Sequence, residues 1–367
     1  MNIDSCPECR VPRYITGDHR WLNSGAIVQT SSESTRPYFL ECENLDPLFK
    51  GIEGIIGELI EPVLIDIKRR NVKTYIEGVI PAETQVMLRE REIDWRPIND
   101  GLRLVARLTG YGRYEVLDHQ CVGADDDFIT ESISDPPSIP YACGTMAAAF
   151  EILFARELGV IYRKISPDLI EITCFPEGHP EEFKGKFHSE VYRHREGDAA
   201  LERCPTCGGP AALAGYKWYP DRGVVKNTHT GKRMAILGSE TDAIFGELEQ
   251  EFGKVIPRAV VEAQRRFTRT GFYSIEEVGD EGDIRSQLAL RGLGDLREIK
   301  IGKRGVRMRL DHAGLHLMVV GLAQGLFEMA FGIESNADWE LNAAGDLEVE
   351  VIPRGVMESS INLASQE

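Results

Sequence analysis

The chain has 367 residues, an apolar fraction of 42% and a formal charge of −17, proportions of a globular protein long enough for two domains. That acidity argues against a partner gripped through a phosphate backbone, which needs clustered Lys and Arg, so no nucleic acid is expected. No apolar run nears the roughly 18–20 residues that span a bilayer, and "MNIDSCPECR" has no basic-then-apolar leader pattern. A cytoplasmic protein without a membrane partner is expected, whose eight cysteines do not make a disulfide framework.

The first element along the chain is a Cys-Pro-x-Cys turn at Cys6 and Cys9, which returns at Cys204 and Cys207, displaced by 198. Trp21 and Gly25 follow the first turn, and Trp218 and Gly223 follow the second, each pair beside a short β-like segment, "GAIVQTS" or "GVVKNTH". An amphipathic helix is predicted over 48–70, with Phe49, Ile52, Ile56, Leu59 and Ile60 at threes and fours. "IFGELEQEFGKVIPR" (244–258) repeats it at a displacement of 196, which still holds at Arg69-Arg70 against Arg265-Arg266. A second helix, "DGLRLVARLTG" (100–110) or "DIRSQLALRG" (283–292), stops at glycine, and the "GYG" and "GLG" turns beyond lie 182 apart. Two strands come next in each copy, 113–119 with 128–134 and 296–302 with 306–312. A small-residue helix, 142–159 or 317–332, and a last strand, 169–176 or 347–353, keep a displacement of 177.

Ordered matches at nearly constant displacement indicate internal duplication. The fold expected is α+β: two copies of a helix plus antiparallel-sheet domain, arranged as a pseudo-dimer. The first repeat covers 1–180, a charged linker 181–200, the second repeat 201–355 and a loose tail 356–367. The shrinking displacement places fourteen extra residues in the first copy, within 81–100, and five more in the acidic "GADDD" (123–127). Surface loops absorb such insertions at small entropic cost; a lid or interface helix is the alternative.

The order of helix, helix, Gly-x-Gly, hairpin, small-residue helix and terminal strand resembles the 4-vinyl reductase domain, a small-molecule-binding fold. The likeness rests on "LRLVARLTGYGRYEVLD" (102–118) and "IPYACGTMAAAFEILFARELGVIYRKISPDLIEITCF" (139–175), and more weakly on "LALRGLGDLREIKI". It implies an apolar or aromatic ligand held by Cys143, Gly144, Ala147, Phe150 and Phe154 on the small-residue helix. Further cysteines usual after that family's last strand are missing here, where Cys174 stands alone and Val351 takes its place in the second copy.

The Cys-Pro-x-Cys turns lie outside the resemblance and carry the strongest chemical signal. Two such turns present four thiolates, the donor set of a closed tetrahedral zinc site. Pairing of the copies would bring Cys6, Cys9, Cys204 and Cys207 to one shared structural zinc. Separate sites, with Cys42 and His19 or with His229 as added ligands, and a redox pair are the competing arrangements. Cys121, Cys143 and Cys174 read as buried apolar residues, His188 and His194 as solvated, and the Arg pairs as carboxylate or carbonyl partners. No nucleotide-binding loop and no nucleophile elbow appear, and catalytic residues are unknown. A zinc-containing, non-catalytic binder or sensor of a small apolar molecule is therefore expected. An enzyme or accessory factor of an aromatic or tetrapyrrole pathway comes second. A protein-interaction scaffold, paired with a second copy or another protein, is the third reading.

Overall fold

A computed structural model describes residues 3–180, 192–193, 195–274 and 279–354. Most of the linker and the tail from 355, with His188 and His194, lie outside the described residues. The linker's described end is held in place: Ala199 donates its N–H to the Asn23 carbonyl, and Arg195 pairs with Asp346.

After a short helix α1 (Arg13–Asp18), strands β1 (His19–Trp21) and β2 (Ile27–Gln29) form a ribbon, and β3 (Tyr38–Glu41) follows. The helix expected over 48–70 is in fact two, α2 (Leu45–Ile56) and α3 (Glu61–Val79). Gly57, at φ 78°, ends α2 in the left-handed conformation, and Pro62 opens α3 where its missing N–H costs nothing. Then come α4 (Ala82–Arg89), α5 (Arg96–Thr109), β4 (Arg113–Gln120), β5 (Phe128–Ser134), α6 (Ile139–Phe154), β6 (Leu158–Ser166) and β7 (Leu169–Pro176). Helix α4 is built from the extra residues of this half and packs on α6.

From residue 201 the same order returns. It runs β8 (Tyr216–Tyr219), β9 (Val224–Asn227), β10 (Arg233–Leu237), α7 (Glu240–Phe252), α8 (Ile256–Phe267) and α9 (Glu281–Leu290). It ends with β11 (Asp295–Gly302), β12 (Gly305–Asp311), α10 (His316–Phe331), β13 (Ser335–Leu341) and β14 (Leu347–Pro353). The break between α7 and α8 falls at Gly253, φ 85°, 196 positions after Gly57.

All described strand pairs are antiparallel, and the architecture is α+β. One sheet has the order β4-β5-β7-β6 and another β11-β12-β14-β13, so the strand order of the two halves is the same. A third sheet, β3-β10-β9-β8, crosses between the halves, with Leu40 of β3 opposite Ala235 of β10. Among the described residues no helix is long and apolar enough to cross a membrane.

Within each half the small-residue helix packs against the helix after the glycine break, α6 on α3 and α10 on α8. A Cβ on Gly144 would lie 2.6 Å from the Ile65 carbonyl oxygen, and one on Gly321 2.5 Å from that of Val261. Side chains cannot occupy those positions without parting the helices. The Arg pairs bind carboxylates: Arg69 meets Asp66 and Glu151, and Arg265 meets Glu262 and Glu328. Glu151 and Glu328 each also accept a backbone N–H seven residues on, from Leu158 and Ser335 respectively.

Candidate metal centre and cavity

Each cysteine turn is a tight knuckle closed by its own backbone. Cys6 exchanges bonds with Val11 and Arg10 (Cys6 N to Val11 O and Arg10 N to Cys6 O, both 2.9 Å). In the second knuckle Cys204 N reaches Gly209 O at 2.8 Å and Gly208 N reaches Cys204 O at 2.9 Å. Arg10 and Gly208 hold the same left-handed position, at φ 61° and 73°.

Docking onto the opposite half brings the knuckles together. A Cβ on Gly25 would lie 2.1 Å from Gly294 O, and one on Gly223 2.0 Å from Gly112 O. The backbones therefore touch crosswise, first half on second and second on first.

Cys6 Sγ lies 3.8 Å from Cys204 Sγ, and Cys9 Sγ 3.5 Å from Cys207 Sγ. All four sulfurs fall within 4.8 Å of one another. A regular tetrahedron with metal–sulfur bonds of about 2.3 Å has edges of ~3.8 Å, so the spacing suits one ion at the centre. The donors are screened: Cys6, Cys9 and Cys204 are buried among Val11, Ile15, Trp21 and Leu213. The Cys9 backbone N–H directed at its sulfur brings the Cys6 thiol down to about 7, whereas burial pushes Cys9 up to about 12. Burial likewise raises Cys207. Thiols this close cannot all ionise beside one another, but a divalent cation deprotonates its ligands and reverses that penalty.

The other proposed ligands lie elsewhere. His19 is buried with its Nδ1 3.2 Å from the Ile15 carbonyl oxygen, and Cys42 belongs to the large core around α2 and α3. Among the described residues, Cys6, Cys9, Cys204 and Cys207 are the group arranged to hold a metal.

Of the residues implied as ligand-binding, Cys143, Ala147 and Phe150 are buried in the first half's core, and Gly144 is pressed against α3. Trp95, from the extra segment, stands edge-on to Phe150 and Phe154 at centroid distances of 5.6 and 5.7 Å. Nearby, inside the sheet, Glu131 is 2% exposed and accepts a long 3.4 Å bond from Asn99, while the buried Tyr114 hydroxyl has no hydrogen-bond partner.

Against the second half lies an apolar pocket of about 150 Å³, open on one side to solvent. Its walls are apolar, from Leu288, Leu293, Met318, Val319, Leu322 and Leu326. Leu40, Glu41 and Asn44 of the first half complete it, so both halves build it. Sequence reasoning missed this space, because the glycines it followed serve helix contact instead.

The chain matches no described protein family, no curated protein and no solved structure significantly.

Proposed function

We propose that this protein binds a small apolar molecule without transforming it, and that a structural zinc locks its two halves together. The cavity carries this reading. An apolar pocket of about 150 Å³ that opens on one side to solvent leaves its lining side chains short of dispersion partners, and an apolar ligand would supply them. Zinc is the ion of choice for four thiolates in a closed tetrahedral set, with no open position for chemistry.

In this reading the halves are copies of one fold, paired as a pseudo-dimer. The common strand order, the displacements of 196, 182 and 177, and the crosswise docking of the knuckles support it. The order of elements also fits the resemblance to 4-vinyl reductase domains. A ligand role agrees with a wall contributed by both halves, because occupancy then reinforces the contact that the metal clamps. Native mass spectrometry of the purified protein tests both parts together. The expected spectrum has one zinc and one small organic molecule on each chain. A protein that never retains or takes up a small molecule would contradict the binding role.

A further inference from the structure

The first half fills with its own side chains the space that the second half leaves open. We propose that the second half is the single ligand site of the chain, and that it accepts a neutral apolar molecule the size of one aromatic ring. This rests on the binding role proposed above and adds where the ligand sits, which residues admit it and what charge it has.

The displacements pair Lys68 with Gln264, Tyr111 with Leu293, and Tyr141 with Met318. In the first half these three residues form a plug. The Lys68 ammonium lies 4.9 Å from the ring centroids of both Tyr111 and Tyr141, donates to the Tyr111 hydroxyl at 2.9 Å, and pairs with Glu240. A buried ammonium against two ring faces gains cation–π attraction as well as its ion pair. All three counterparts, Gln264, Leu293 and Met318, line the cavity of the second half. Two phenol rings there have become aliphatic side chains, and the ammonium has become an amide. The volume of about 150 Å³ equals that of an apolar cavity able to admit benzene, and here the space also opens on one side to solvent.

The charge follows from the same comparison. Asn44 of the first half is the counterpart of Glu240 of the second, and its Nδ2 donates to Gln264 Oε1 at 3.0 Å. The ion pair is thus replaced by two amides. The charged lining residues Glu41 and Arg291 satisfy each other at 2.5 Å. Among the described residues no uncompensated charge lines the space to attract an ion, and an ion settling on its apolar walls would give up part of its hydration. Asn44 Oδ1, buried and without a hydrogen-bond partner, is the acceptor a neutral donor on the ligand would meet.

Calorimetric titration of the full, zinc-loaded chain with benzene and with benzoate tests the proposal. The expected result is one benzene site per chain and at least tenfold weaker binding of benzoate. Met318→Tyr should weaken benzene binding at least tenfold by restoring a ring of the plug, while Tyr141→Phe should leave it unchanged. Should Met318→Tyr fail to fold, Leu322→Phe fills the opposite wall and carries the same expectation. Benzene binding that survives both filling substitutions would overturn the location, yet leave the binding role standing. Absence of benzene binding, or equal binding of benzoate, would overturn the ligand class. The retained molecule sought by native mass spectrometry bears on the wider role independently.

Discussion

Trp21 donates its indole N–H to the carbonyl of Leu290 at 2.9 Å, and Trp218 donates to the carbonyl of Leu108 at 3.0 Å. Each tryptophan belongs to a knuckle element of one half and each acceptor lies in the last turn of a helix of the other. Together with the Gly25–Gly294 and Gly223–Gly112 contacts, these bonds make the docking crosswise at both ends. Gly25→Ala and Gly223→Ala should therefore each push a knuckle off the opposite half. A loss of about 1–3 kcal/mol is expected from either, since both substitutions strain a left-handed residue as well. Urea unfolding followed by tryptophan fluorescence reads the effect. Unchanged stability in either variant would remove the docking argument.

Lys68 and Glu240 make an ion pair across the halves that is 2% and 5% exposed, and the counterpart pair across the halves is Gln264 with Asn44. Removing one partner of such a pair strands a buried charge, at a cost of about 3–5 kcal/mol. Lys68→Ala should lose that much. The double substitution Lys68→Gln with Glu240→Asn copies the uncharged Gln264–Asn44 pair and should recover most of it. A double variant no better than the single one would show that the two pairs are not interchangeable.

Glu131 supplies a pH dependence. Desolvation raises its carboxyl from 4.5 to about 7, so the folded state holds a proton that the unfolded chain has released. Its stabilising contribution is complete below about 4.5 and is lost as the pH rises through 7. Glu131→Gln, which stays neutral, should gain on the wild type by up to about 3 kcal/mol between pH 4.5 and 8. Thermal melts of both proteins across that range decide the matter, and parallel curves would mean that Glu131 is ionised throughout.

Much of this was legible in the sequence because it depends on residues near one another in the chain. The helix ends at Gly110 and Gly332, the hairpin at Lys303–Arg304 and the alternation in β5 and β12 are local signals. The four-cysteine cluster is a long-range contact, yet the displacement of 198 between its turns made it inferable. Strand β6 was missed because most of its side chains are exposed, among them Ile161, Tyr162 and Ile165, leaving no alternation to read. The break at Gly57 was hidden by apolar residues that keep helical spacing on both sides of it. The cavity was illegible for a different reason. Leu293 and Met318 look like ordinary core residues until Tyr111, Tyr141 and Lys68 are seen meeting at one point.

The shared metal centre is the claim on which the joining of the halves rests, and metal stoichiometry tests it most directly. Elemental analysis of the purified chain should find one zinc, and either Cys6→Ser or Cys204→Ser should abolish tight retention of that zinc. Two zincs per chain, or full retention in either variant, would contradict a site built from both turns.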